Sequence, residues 1–335
     1  MGWGFFSSIY NKPLPGLCFL NLSLLEVKTR TSYPLITEQL VREEVLESAP
    51  KAVKEKDPKR GRPKGSANKN RRDVELSAFQ TQLQGCIRAA LKLVGVDLDI
   101  VYFVYDGALG NNAGLQGVAR TGLRLISKLR HDSKLYFPYA GEYSGKGKRR
   151  KYGGKLTLET LTDAHLKSEG VEKGIRTCVY QVQAWHRNFP ELLNVAVIVK
   201  TNLKTGRCAK VLLFSDDLAL SSETLIEYYA LRFQIEFDFR DAKQYWGLED
   251  FMNVKETQVG NFANFSLFMV TFSRLLSAKM EGLNQGSMLD LKTIFRARKY
   301  TRRILNSLGK NDEEFLIDDR IFQIAEIGRI HAKAA

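Results

Sequence analysis

The sequence predicts an α/β protein, and three observations predict it. Ile100-Val101-Tyr102-Phe103-Val104-Tyr105 is a continuous apolar run bounded by Asp99 and Asp106-Gly107, the pattern of a buried central strand. A helix from Asn112 to about Thr121 and a strand from Leu123 to Leu129 follow it, which makes a strand–helix–strand unit. Two long helical stretches, from about Ser222 to Gly247 and from about Gln258 to Lys279, lie further along.

Taken in order, Leu17 to Val27 is rich in loosely alternating apolar residues, and a Thr-Arg-Thr turn leads to Ser32-Tyr33-Pro34-Leu35. This predicts an antiparallel strand pair, followed by a helical segment from Thr37 to about Ala49. Lys51 to Arg72 then holds ten basic and two acidic residues, a net of +8 with almost nothing to bury. Such a segment cannot offset its ordering entropy and is expected to be a flexible loop. Helical periodicity resumes from Leu76 to about Val94, with Leu83, Ile87, Leu91 and Val94 on one face. From Tyr139 to Phe214 the texture is β-rich, with short strands expected at Gly174–Trp185, Val195–Lys200 and Ala209–Phe214. The helix near Ser222 has Ser221 and Ser222 available as caps. The last forty-odd residues are basic, with a helix around Leu291 to Leu308. The expected segments are 1–50, first strands and helix; 51–75, a basic disordered loop; 76–138, helix, Asp106 strand and following helix; 139–215, β-rich; 216–285, helices with Glu236; and 286–335, a basic helical tail.

Charge narrows the function. The chain has 51 basic and 37 acidic side chains in 335 residues, a net of +14, which predicts a polyanionic partner, with nucleic acid ahead of an acidic membrane surface. Cys18, Cys86, Cys178 and Cys208 are scattered without a C-x-x-C pair, against a zinc ribbon or a disulfide framework and in keeping with a reducing cytoplasm. The apolar run Leu14 to Leu25 contains Pro15, Gly16 and Asn21 and lacks a basic leader, so no signal peptide is expected. Phe265 to Val270 is too short to span a bilayer.

The chemistry concentrates on the helix from Glu223 to Trp246. At about 100° per residue, Tyr229, Arg232, Glu236 and Lys243 fall inside an arc of roughly 60°. One face therefore presents a phenol, a guanidinium, a carboxylate and an ammonium; an ordinary solvated face, with Arg232 and Glu236 as an i,i+4 pair, is the bland alternative. Asp106, at the carboxyl end of its strand, occupies the position where α/β sheets carry ligand-binding residues. A plain strand-end turn aspartate is the alternative there. Two facing carboxylates suit Mg²⁺, which prefers hard oxygen ligands and phosphate oxygens, and paired ions clamp the attacking and leaving oxygens of phosphoryl transfer.

The spacing Tyr229-x-x-Arg232-x-x-x-Glu236-x-x-x-x-x-x-Lys243 resembles the Tyr–Arg–Glu–Lys signature of bacterial insertion-sequence transposases of the DDE superfamily, in the group typified by insertion sequence four. Val104-Tyr105-Asp106-Gly107-Ala108-Leu109-Gly110-Asn111 resembles the segment around that family's second catalytic aspartate. The resemblance extends from about Phe5 to Leu276. It implies an RNase H-like core interrupted by a β-rich insertion between the second aspartate and the glutamate. It also implies Asp106 and Glu236 as catalytic, metal-binding carboxylates on a two-Mg²⁺ site, with Arg232 and Lys243 on transposon-end phosphates and Tyr229 on the DNA backbone. In this family a Mg²⁺-activated water cleaves the strand and the freed 3′-hydroxyl attacks target DNA. The implied partners are double-stranded DNA and a second copy of the chain in the DNA complex, in a bacterial cytoplasm at the nucleoid. The family's first aspartate lies upstream of a segment resembling Phe5-Phe6-Ser7-Ser8, whereas this sequence has no acidic residue before Glu26. Asp57 and Asp73 lie in the basic loop, and Asp97 and Asp99 at the opposite end of the Asp106 strand. The expectation is an N-terminally truncated or decayed transposase with poor or absent strand transfer, or a catalytically dead DNA-binding remnant.

Two basic segments add DNA contacts. Lys59-Arg60-Gly61-Arg62-Pro63-Lys64-Gly65 resembles an AT-hook, in which Arg60, Arg62 and Lys64 would enter a narrow A·T minor groove; a basic linker neutralising phosphates is the alternative. Lys146, Lys148, Arg149, Arg150 and Lys151, flanked by Tyr143 and Tyr152, make a second patch able to hold transposon-end DNA, or else a solvated hairpin. Trp185 is a stacking candidate for a flipped base, with a buried core ring as the alternative. Asp216 and Asp217 are assigned to the N-terminal region of the long helix. His131, His165, His186 and His331 show no ligand spacing and receive no role.

Overall fold

The structure, a computed structural model, describes residues 3–7, 11–40, 70–143, 145, 147–250, 252, 255–280, 287–307, 318, 321–322 and 325. Two compact units make up the chain: Met1–Cys18 with Leu40–Arg232, and Phe19–Gln39 with Phe233–Ala335.

The first unit begins with an antiparallel pair, β1 (Trp3–Ser7) and β2 (Lys12–Gly16), with Phe5 opposite Leu14. Further along the chain comes α1 (Ala78–Val94), which starts where Ser77 accepts from the Gln80 amide while the Gln80 side chain accepts from the Ser77 amide. This reciprocal capping box satisfies two amides that the first turn leaves unpaired. Its buried face is Leu83, Cys86, Ile87 and Ala90, so the expected stripe is shifted: Leu83 and Ile87 are core, and Leu91 and Val94 are half-buried.

The unit is organised on an eight-stranded sheet of β5 (Tyr102–Val104), β6 (Arg124–Leu129), β7 (Leu135–Pro138), β8 (Tyr152–Lys155), β9 (Leu166–Glu172), β10 (Ile175–His186), β11 (Leu192–Asn202) and β12 (Cys208–Ser215). Its order is β5-β6-β12-β11-β10-β7-β8, with β9 also on β10. The pairing of β5 with β6 is parallel, across α2 (Asn112–Ala119), and the other neighbours for which a register is defined run antiparallel. The sheet is therefore mixed. The strand expected at 100–105 is a correction: β5 is three residues long, stands at the sheet's edge and is half-buried. An apolar run reports the hydrophobicity of its residues but not how many strands flank it.

Helix α3 (Ser222–Leu231) lies on this sheet, burying Leu225 against Ile126, Ala196 and Leu213. Ser221 caps it, accepting from the Thr224 amide at 3.1 Å. Its start is pinned by two polar side chains inside strands. Asn194, fully buried on β11, donates to the carbonyls of Asp217 (2.9 Å) and Leu220 (2.7 Å). Gln181 on β10 donates to Leu220 and to Asn194, and accepts from the Ser222 amide.

The second unit pairs β3 (Cys18–Glu26) with β4 (Thr31–Leu40) and adds α4 (Gln234–Trp246), α5 (Glu256–Lys279) and α6 (Met288–Ser307). The helix expected from Thr37 is corrected over Thr37–Leu40, which continue β4; residues 41–49 lie outside the described residues. Ala242, Leu248, Ala263, Leu267 and Val270 form its core with Phe19, Phe239 and Trp246. Asp238 of α4 is completely buried and accepts from Ser23 of β3 (3.0 Å) and Ser32 of β4 (2.6 Å). Arg274 of α5 bonds Asp238, the Ser32 carbonyl and Asp241, the last at 2.9 Å. One buried network thus joins a hairpin to two helices.

Candidate active site at the end of β5

Asp106 leaves β5 directly into a single 3-10 turn, Gly107–Leu109. Its Oδ1 accepts from the Ala108 amide at 2.8 Å, and its carbonyl accepts from the Ser127 hydroxyl at 2.6 Å. The Tyr105 amide donates to Ile126 at 3.1 Å, so β6 holds the backbone on both sides. Gly110 passes so close to β6 that a Cβ there would stand 2.1 Å from the Lys128 carbonyl oxygen. Asn111 then caps α2, accepting from Gly114 at 2.9 Å. The Asp106 carboxylate is exposed, a cap with one oxygen engaged.

Tyr229, in the last turn of α3, is within electrostatic range of Asp106. Burial chiefly pushes its hydroxyl pKa up and Asp106 adds to this, while Arg232 opposes it. The Arg232 guanidinium lies 5.8 Å from the Tyr229 ring centroid, and its buried Nε has no hydrogen-bond partner among the described residues. The first unit thus carries all three residues, with Tyr229 and Arg232 side by side at the end of α3.

The four residues expected on one helix are not carried by one helix. The hydrogen-bond ladder breaks at Arg232-Phe233, where the Glu236 amide bonds the Phe233 carbonyl three residues back. Both junction residues keep right-handed helical dihedrals, which is why periodicity alone shows no interruption. Tyr229 and Arg232 belong to α3 and its end, and Glu236 and Lys243 to α4 in the second unit. Glu236 is exposed in the first turn, and Lys243 is ion-paired with Glu249.

More than half of the chain, residues 3–189, matches the sequence profile of a family described as DDE superfamily endonuclease. It belongs to the DDE superfamily endonucleases. No curated protein matches it. The stretch that defines this DDE endonuclease includes Asp106 and ends before α3, so Tyr229 to Lys243 rest on their own spacing and geometry. The family's activity calls for a divalent metal, yet no three Asp, Glu, His or Cys side chains converge to hold an ion among the described residues. Asp106, exposed and with one oxygen engaged by the Ala108 amide, offers a single carboxylate toward such an ion.

The remaining expected sites sort as follows. Arg60, Arg62 and Lys64 lie outside the described residues. Lys148 and Arg149 are exposed, and Arg150 lies 4.8 Å over the Tyr139 ring. Trp185 is half-buried, and Lys151 Nζ sits 3.3 Å from its ring centroid. Ser221 rather than either aspartate caps α3, while Asp217 Oδ1 accepts from the Ala219 amide at 3.0 Å in the turn that leads into it. Asp216 accepts from the Leu125 amide at 2.9 Å and pairs with Arg124, and Asp217 accepts from the Tyr102 hydroxyl at 2.7 Å. They close the end of β5 and β6 opposite Asp106. Sequence reasoning missed Asn194, Gln181 and the Asp238–Arg274 network, whose partners are distant in sequence. Among the described residues no helix is long and apolar enough to cross a membrane.

Proposed function

We propose that this endonuclease is a transposase of the Tyr–Arg–Glu–Lys group, resembling that of insertion sequence four, which cleaves and transfers DNA strands at insertion-sequence ends. The observation that carries the proposal is the DDE superfamily endonuclease match over residues 3–189, which includes Asp106, in a chain of net charge +14. Burial keeps the Tyr229 hydroxyl protonated well above neutral pH, so it donates to a phosphate oxygen. Arg232 offers donors, one of them buried and unmatched among the described residues, to the same phosphate. Asp106 and Glu236 are the proposed catalytic carboxylates and ligands for Mg²⁺, with Lys243 released from Glu249 to grip a further phosphate. Mg²⁺ would supply charge neutralisation and an activated water. Residues 139–215 are proposed as an insertion into an RNase H-like core, and the DNA complex as a homodimer.

A second reading is favoured by the lack of three converging ligands among the described residues: a protein that binds DNA without cutting it. Plasmid nicking in Mg²⁺ or Mn²⁺ separates the two. Nicking that disappears in Glu236→Ala with binding retained supports the transposase. Binding by the wild type with no nicking in either metal supports the second reading.

A further inference from the structure

The first unit carries a second built surface that the acid site does not use. Tyr136, Tyr152 and Trp185 form an edge-to-face chain, with centroids 5.6 Å and 6.5 Å apart. Cations lie over two of these rings and over their neighbour Tyr139: Lys151 over Trp185 at 3.3 Å, Arg187 over Tyr136 at 5.2 Å, and Arg150 over Tyr139 at 4.8 Å. Two of the cations are tied down further. Lys151 donates to the Pro190 carbonyl at 2.9 Å and Arg150 Nε to the Tyr152 carbonyl at 3.1 Å.

The end of the basic segment joins this surface. Asn112 of α2 and Arg120 just beyond it hold the carbonyls of Arg71, Arg72 and Val74. Burial chiefly lowers the Lys151 pKa, and the charges of Arg71, Lys148 and Arg72 lower it further. Glu191 opposes them and pairs with Arg72 at 3.2 Å. A fold gains nothing by gathering so many cations around one acid, and the arrangement is stabilised when a polyanion neutralises it.

We propose that Arg71, Arg72, Lys148, Arg150, Lys151 and Arg187 form a phosphate rail that grips the backbone of duplex DNA without reading its bases. The rings serve as pedestals. Nonspecific single-strand binding uses free aromatic faces for base stacking, and here a cation already lies over one face of Trp185, Tyr136 and Tyr139. What remains is backbone contact, which positions a duplex but carries no sequence information. The inference rests on the DNA-directed reading above and adds the mode of contact.

The test is fluorescence anisotropy with the full chain, across a salt series, on A·T-rich and G·C-rich duplexes and a single strand of equal length. Exposed positions are changed first, so that folding is undisturbed: Lys148→Ala alone and Arg71→Ala/Arg72→Ala together. The log–log salt slope should fall by about one for the first and about two for the second, equally on both duplexes. Lys151→Met/Arg187→Ala should also lower the slope by about two. An unchanged slope in all three overturns the rail. So does a loss confined to one base composition, or a preference for single strand that Trp185→Leu removes. Variants that keep DNA binding but lose binding to polyglutamate would make the surface a protein-docking site and overturn it too. A wild type that shows this salt behaviour yet never nicks DNA refutes the cleavage proposal and leaves the rail standing.

Discussion

At the scale of single residues, the acid site depends on close approach as much as on charge. Gly110 lets the chain pass against the Lys128 carbonyl directly after Asp106. Gly110→Ala forces backbone movement, and overpacking of this kind costs about 1–3 kcal/mol. Thermal unfolding should show a lowered midpoint for the variant, and an unchanged midpoint would contradict the packing argument. Asp106 itself was legible because an Asp-Gly pair ending an apolar run marks a strand terminus. Its neighbours were less so. Tyr229 and Arg232 were singled out by spacing, but the packing of α3 on β6, β11 and β12 joins strands far apart in sequence, which local sequence does not report.

At the scale of elements, two polar devices hold the helices. In the second unit, burial pushes the Asp238 carboxyl pKa up, while Ser32, Arg274 and Ser23 pull it back. Arg274→Met leaves that acid buried without its cation, which costs about 3–5 kcal/mol. Chemical denaturation should show this loss, and Arg274→Met/Asp238→Leu should recover much of it, since an apolar pair of similar volume is tolerated there. A single variant as stable as the wild type would show that the network contributes nothing. In the first unit, the Tyr102 hydroxyl beside Asp217 works in both directions. The bond holds the Asp217 carboxyl below its usual range, so its stabilisation is present above about pH 4 and is lost as pH falls through the lowered value. Burial and Asp217 push Tyr102 up to about 12, so its contribution is full below about pH 10 and is lost as pH rises toward the folded value. Tyr102→Phe removes both. Its denaturation midpoint should lie below that of the wild type at neutral pH, with the gap closing at either extreme. A gap constant across pH would sink this assignment.

Elements also show where sequence patterns mislead. Thr37 to Ala49 has helical spacing, yet Thr37–Leu40 belong to β4, the partner strand of β3, because tertiary pairing outweighs weak local preference. The apolar run at 100–105 reads as central although its strand is an edge. The break at Arg232-Phe233 leaves no signal because both residues remain helical in φ and ψ. Strands β10, β11 and β12 lie close to the apolar runs that predicted them. The Asn194 and Gln181 bonds that start α3 were invisible, since a polar residue in a strand does not name its partner.

At the scale of the whole molecule, charge and family membership converge on DNA. The net charge of +14 supplies a general attraction to polyanions, and membership of the DDE superfamily endonucleases supplies the reaction class. DNA affinity of the full chain should fall steeply with salt, as expected when bound counterions are released.

The central claim is that Asp106 takes part in cutting DNA. The direct measurement is conversion of supercoiled plasmid to nicked circle by the full chain in Mg²⁺ and Mn²⁺, normalised to bound protein, for wild type, Asp106→Asn and Glu236→Gln. The account predicts nicking by the wild type and a loss of at least about ten-fold in each variant, with binding unchanged; a ten-fold rate loss corresponds to about 1.4 kcal/mol of transition-state stabilisation. Equal nicking by all three proteins, or none by the wild type in either metal, would contradict it.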